Sequence, residues 1–206
     1  MKVALIGITG RVGKRVAEEL LARKHTVTGI ARNPENVEPE QGLTVVEGNA
    51  ADPASLAPLL ADHDAVISAG RFVTMDAAKL IEAVKRAGVP RLLVVGGAGS
   101  LEIAPGKALI DTPDFPEAYK PEAGAGRVFL QVLRAEPKDS LLNWTFLSPS
   151  ALFEPGERTG KFRLGGDALL VDANGKSWIS MEDYAIALVD ELEKNAHPRA
   201  RFTVGY

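Results

Sequence analysis

The chain has 206 residues, 46% of them apolar, with 24 basic against 27 acidic side chains and a formal net charge of -3. That length buries one substantial core and falls short of two full-sized domains. The near-balance of charge creates no long-range field toward nucleic acid or an anionic membrane, so small molecules or proteins are the expected partners. With no cysteine, disulfides, thiolate metal ligands and a cysteine nucleophile are excluded together, and a reducing compartment suits the composition.

The apolar start Val3-Ala4-Leu5-Ile6 breaks at Gly7. This is far short of a signal-peptide core or of the roughly 20 apolar residues that span a bilayer, so a soluble, cytoplasmic protein is expected. Short aliphatic runs recur at Val3 to Ile8, Thr26 to Ala31, Leu43 to Glu47, Ala65 to Ser68 and Arg91 to Val95. Continuous apolar runs separated by segments of helical period predict parallel strands buried on both faces. The fold class is therefore α/β, a single Rossmann-type domain over 1-206 with a doubly wound, mostly parallel sheet.

Between the first two runs, Val12, Val16 and Leu20 recur at i, i+4, i+8, with Ala17 and Leu21 beside them, which predicts an amphipathic helix. A second helix carries Ala77, Leu80, Ile81 and Val84, and Gly88 with Pro90 stops it. Gly96 to Pro121 holds four glycines and four prolines without a long periodic run and reads as an ordered functional loop. Pro121 suits the first turn of a helix whose expected buried positions are Val128, Phe129, Val132 and Leu133, ending near Pro137.

A sixth strand is predicted over Trp144 to Leu147. From 153 to 180 short strands and turns form a small elaboration, where Asn174-Gly175 is a strong hairpin signal. Ser180 is placed to cap a last helix, with Asp183 as its capping-box partner and Met181, Ala185, Leu188 and Leu192 as the apolar stripe. Arg201 to Val204 would close the sheet.

The chemistry concentrates in Gly7-Ile8-Thr9-Gly10-Arg11-Val12-Gly13, which leaves a strand and enters a helix. Gly7 permits a tight turn, Gly10 lets backbone approach a pyrophosphate, and Gly13 lets the helix pack close to the sheet. The free amides near Arg11 and Val12, with Thr9 beside them, are the expected phosphate donors at the positive end of the helix. Discrimination between dinucleotides belongs at the end of the second strand. There Gly29-Ile30-Ala31-Arg32 has no acid for ribose hydroxyls, and Arg32, with Arg11 as a second cation, suits a 2′-phosphate. NADPH is thus expected over NADH.

Other strand ends line the same crevice by the rule for open α/β sheets. Asn49, in Gly48-Asn49-Ala50, is expected to flank the adenine. Ser68, Ala69 and Gly70 form a small-residue turn for the cofactor ribose, and Gly96 and Gly97 lie beside the nicotinamide. The three histidines, His25, His63 and His197, fall near predicted helix ends or turns. They are expected to meet solvent, and none is placed for a metal. The acid pairs Glu18-Glu19 and Glu191 with Glu193 read as surface charge on polar helix faces.

The glycine turn with Arg32, the run Val94-Val95-Gly96-Gly97-Ala98-Gly99-Ser100, and the segments Ser148-Pro149 and Glu157-Arg158-Thr159-Gly160 together resemble the atypical short-chain dehydrogenase/reductases. The nearest branch is that of NAD(P)H-binding, NADH-flavin-reductase-like proteins, related to the NmrA-like proteins and biliverdin reductase B. The resemblance implies a seven- or eight-stranded sheet, a nicotinamide cofactor on the turn, and reduction of a flavin or a quinone-like acceptor as substrate.

It also exposes a departure. Most short-chain dehydrogenases use Tyr-x-x-x-Lys on a helix, whereas Tyr119 is followed four residues later by Ala123, and the adjacent Lys120 diverges by about 100°. Ser100 and Tyr119 remain as candidate catalytic residues, orienting or hydrogen-bonding the acceptor. Phe153, Phe162 and Trp178 are read as packing of the small elaboration more than as walls of a pocket. Loss of the dyad disfavours ketone reduction and sugar-nucleotide epimerisation but suits a flavin, whose ring delocalises the charge it receives. The alternative is an NmrA-like redox sensor that holds NADP without turnover.

Overall fold

The computed structural model describes residues Met1–Tyr206. Strands β1 (Lys2–Ile6), β2 (Thr26–Ala31), β3 (Leu43–Glu47), β4 (Ala65–Ser68) and β5 (Arg91–Val95) carry the five aliphatic runs, the first ending two residues short of the expected Ile8 because the chain turns at Gly7. Between and after them lie helices α1 (Arg11–Ala22), α2 (Pro53–Leu60), α3 (Ala77–Arg86), α4 (Lys120–Arg134) and α5 (Met181–Lys194). The later strands are β6 (Glu102–Ala104), β7 (Lys107–Ala108), β8 (Asn143–Ser148), β9 (Leu152–Glu154), β10 (Arg163–Gly165), β11 (Trp178–Ser180) and β12 (Ala200–Gly205).

The main sheet has eight strands in the order β10-β12-β8-β5-β4-β1-β2-β3. All its neighbours pair in parallel except the edge pair β10 and β12. Because side chains alternate along a strand, each run feeds both faces. Val3 and Leu5 of β1 join the layer under α1 and α5, while Ala4 and Ile6 join the layer under α2, α3 and α4. The two layers hold 22 and 21 buried apolar residues, so neither face is left to solvent and the sheet is doubly wound. No helix is long and apolar enough to cross a membrane.

The structure corrects several local expectations. α2 carries no long apolar period; it forms because Asp52 accepts a hydrogen bond from the Ala54 amide and Pro53 is pre-set for a first helical turn. α4 buries Gly126, Phe129, Leu130 and Leu133 and leaves Val128 exposed. Gly126 lies on this stripe, where a Cβ would stand 2.9 Å from the Phe72 ring; of the expected positions Phe129 and Leu133 are buried, Val132 packs partly buried against the same layer, and only Val128 falls outside it. Asn174-Gly175 makes a turn gathered by the Asp172 carboxylate, which accepts from the amides of Asn174 and Lys176, but no strands pair across it. Instead β11 runs parallel to β9, and β10 adds to the main sheet.

Two of the histidines and one acid of each pair depart from their surface reading, while Glu18 and Glu193 are exposed as expected. His63 is buried, with Nδ1 on the Leu60 carbonyl at 3.0 Å and Nε2 on the Thr28 hydroxyl at 2.7 Å. His25 is buried between the Met1 ammonium and Glu193. Glu19 and Glu191 are buried too, because α1 and α5 pack against each other and their charged positions meet arginines: Arg23 and Arg158 at Glu19, Arg91 at Glu191. Burial pushes the Arg91 guanidinium below its ordinary value, against the attraction of Glu191.

Candidate functional site

The strand order reverses between β1 and β4, and the crevice beyond their carboxyl ends is where an open α/β sheet receives a ligand. The glycine turn sits there. Gly7 has φ +84°, a left-handed conformation that side chains resist, and its amide donates to the Ile30 carbonyl at 3.1 Å. A Cβ on Gly7 would lie 2.8 Å from the Ala69 carbonyl, so the turns after β1 and β4 touch backbone to backbone. A Cβ on Gly13 would overlap the Gly7 carbonyl, whose carbon would be 2.9 Å away. Gly10 closes the turn by donating to the Gly7 oxygen at 3.0 Å.

Past that bond the amides of Arg11, Val12 and Gly13 have no protein acceptor. Gly10 offers no side-chain cap, and no acid occupies the first turn of α1. The positive end of a 12-residue helix is therefore left open beneath a cradle that a Cβ at Gly7 or Gly13 would fill. Thr9 stands exposed at the rim. The residues present fit a diphosphate.

Next to this turn, Arg32, Glu47, Gly48 and Asn49 line an open pocket of about 410 Å³. Arg32 is exposed and makes no ion pair, so its guanidinium fork is available. Asn49 braces its own loop, its side-chain oxygen accepting from the Ala51 amide at 3.0 Å. Glu47 is the residue the sequence reading passed over. It belongs to β3, yet its register partner is Ala31, immediately before Arg32, and this adjacency is the signal that would have found it.

The remaining candidates divide. Ala69 and Gly70 press on Gly7 as described, whereas Ser68 is buried with its hydroxyl on the Met75 sulfur at 3.2 Å. At Gly96 a Cβ would stand 2.5 Å from the Leu147 carbonyl, so packing against β8 accounts for this glycine; Gly97 has room. The buried Tyr184 hydroxyl donates to the Leu147 carbonyl at 2.7 Å and accepts from the Gly96 amide at 3.2 Å, tying the ends of β5 and β8 together. Burial drives that phenol well above its ordinary range, so it is a fixed neutral clasp.

Ser100 accepts from the buried guanidinium of Arg201 at 3.4 Å, and Arg201 is itself paired with Asp167. Tyr119 is 66% exposed and no hydrogen bond joins it to Ser100. Lys120 is paired with Glu117. The structure therefore does not gather Ser100 and Tyr119 into one hydrogen-bonded unit. Phe153 and Phe162 pack on the α1 and α5 layer, and Trp178 lies 4.2 Å from the Tyr206 ring, which agrees with their reading as packing.

The segment after β9 is strapped to the helices. Ser180 caps α5 by accepting from the Asp183 amide at 3.0 Å. Asp183 does not reach back as a capping-box partner; it accepts from the Gly160 amide at 2.8 Å, from the Thr159 hydroxyl and from the Tyr206 hydroxyl at 2.7 Å. Burial and the bond to Asp183 raise the Tyr206 phenol. Glu182 holds Arg15 and the Gly156 amide; burial works to raise its carboxyl, yet these two donors keep it below the usual range.

The profile of the NAD(P)H-binding family matches residues 7–195. Among solved structures, the chain is similar to a Burkholderia pseudomallei protein described as a candidate exported protein, with 45% identity over the whole of both chains and a TM-score of 0.88. It is similar to a candidate epimerase of Bacteroides thetaiotaomicron, with 41% identity over all of this chain and 96% of the other and a TM-score of 0.93. A candidate NADH-flavin reductase of Streptococcus pneumoniae shares 39% identity over all of this chain and 99% of the other, with a TM-score of 0.85.

Proposed function

The chain belongs to the NAD(P)H-binding family, and from that premise we propose that it is a reductase that accepts NADPH on the Gly7–Gly13 turn and serves a flavin or similar planar acceptor. The observation that carries this reading is the open end of α1, with three unpaired amides beside the pocket of Arg32. When bound, the nicotinamide supplies the hydride. The chain's own contribution is to bind and orient: amides of Arg11, Val12 and Gly13 on the diphosphate, Arg32 and Arg11 on the 2′-phosphate, Asn49 by the adenine, and the 68–70 and 96–97 turns along the ribose and ring.

The flavin assignment draws support from the likeness to the streptococcal protein and from the lack of an assembled proton donor. A flavin ring can take its proton from water, so stacking geometry does most of the work. In this reading Ser100 orients the acceptor, with Arg201 holding its hydroxyl, and Tyr119 closes over it from the α4 side. The 153-180 segment is the acceptor-side elaboration of a single 1-206 domain, and the cysteine-free chain acts in the cytoplasm.

The same lack of a donor favours one second reading, an NADP-binding sensor without turnover. It weighs against epimerisation, which needs a placed acid and base. Mixing the protein with NADPH and FMN and following nicotinamide absorbance separates the first two. Steady oxidation is expected; binding without oxidation across several flavins and quinones would establish the sensor instead.

Arg32→Ala provides a second test. Loss of charge-assisted bonds to a phosphate is worth about 1.5–3 kcal/mol, so calorimetry should find NADPH weakened roughly 10- to 150-fold and NADH by less than about twofold. Equal losses for the two nucleotides would remove the 2′-phosphate assignment.

A further inference from the structure

Resting on the dinucleotide reading above, we infer that Glu47 is a specificity residue, and that Arg32 and Glu47 together make a two-sided reader of the adenosine ribose, one donating to a 2′-phosphate and the other accepting from a 2′-hydroxyl. Both line the same open pocket of about 410 Å³ with Gly48 and Asn49. They reach it from adjacent parallel strands: Glu47 ends β3 in register with Ala31, and Arg32 is the next residue of the β2 strand end. The Gly48 amide donates to the Ala31 carbonyl at 3.0 Å and locks the two strand ends side by side.

Opposite charges so placed would ordinarily pair, yet no ion pair or hydrogen bond engages Glu47 or Arg32. Both residues are exposed, and both line the pocket. The pocket therefore presents a guanidinium fork and a carboxylate to one incoming group. A 2′-phosphate gains from the first and is repelled by the second; a ribose diol donates to the second and needs nothing from the first. An acid that accepts from ribose hydroxyls is the usual device for NADH, and here the edge strand provides it while β2 provides the cation. The consequence is a chain that uses both dinucleotides, with Glu47 restraining the preference that Arg32 creates.

The test is Glu47→Gln, which keeps shape and removes charge, titrated with NADP⁺ and with NAD⁺ by calorimetry so that turnover plays no part. Since Glu47 is exposed and bonded to nothing, the variant should melt with the parent protein. NAD⁺ is expected to weaken roughly 3- to 10-fold through the lost charged acceptor, and NADP⁺ to tighten roughly two- to fivefold through the lost repulsion at low salt. NAD⁺ weakened with NADP⁺ unchanged would still support the acceptor role. NAD⁺ affinity within twofold of the parent, whatever NADP⁺ does, overturns it and leaves the dinucleotide reading standing. If the parent protein binds neither nucleotide, that reading and this one fall together.

Discussion

Gly13→Ala is expected to cost the protein at least about 3 kcal/mol and to weaken NADPH by 100-fold or more. Inside most helices the exchange would help, since alanine is the better helix former by about 1 kcal/mol. Here the new Cβ would overlap the Gly7 carbonyl and crowd the Ile8 Cα at 3.1 Å, both main-chain atoms that cannot rotate aside. Overpacking that forces side chains off rotamer and shifts backbone costs typically about 1–3 kcal/mol and occasionally more, and collision with main-chain atoms places this site at the upper end. Relief requires α1 to back away from the turn, which moves the very amides that face the crevice. Urea unfolding and calorimetry with NADP⁺ read both effects. An unchanged midpoint together with an unchanged affinity would refute the packing argument.

Glu191→Ala is expected to cost about 3–5 kcal/mol, a large share of the 5–15 kcal/mol that holds a typical domain together. Glu191 is 3% exposed and receives bonds from Arg91 Nη2 at 2.9 Å, from the His197 amide at 2.9 Å and from the His197 ring at 2.7 Å. Removing it strands a guanidinium that is itself 7% exposed and whose Nε already lacks a partner. The penalty comes mostly from that uncompensated charge. Accordingly, Arg91→Met combined with Glu191→Leu should recover most of the loss. Because Arg91 opens β5 and Asn143 opens β8, the cluster lies at the amino edge of the sheet, away from the crevice. Folded Glu191→Ala protein should therefore bind NADP⁺ as the parent does, with thermal unfolding alone showing the change.

The five aliphatic runs were readable as strands because a strand buried on both faces leaves an uninterrupted apolar signature, and Thr26–Ala31, Leu43–Glu47, Ala65–Ser68 and Arg91–Val95 form over the expected residues. α2 left no such mark: it is eight residues long, contains Pro58, and owes its start to Asp52. The close approach of α4 at Gly126 to Phe72, some fifty residues earlier in the chain, is one that no local period reports. Glu19 and Glu191 looked like surface charge because a carboxylate in a sequence gives no sign of its partners; what engages them is Arg23 one turn along α1 and Arg158 from the segment after β9 at Glu19, and Arg91 of β5 at Glu191. In the candidate site, the glycine turn is a contiguous motif and Arg32 directly follows the next strand, so both are visible in the sequence. The link from Arg201 to Ser100, and the place of Glu47 beside Arg32, arise only when strands distant in sequence are laid in register.

The main-chain contact between Gly7 and Ala69 bears on how a visitor is received. A seat whose two halves already brace each other has almost no slack to lose on occupancy, so little entropy is spent in ordering it. Arrival should then be governed by encounter, and the choice between dinucleotides expressed in how long each one stays.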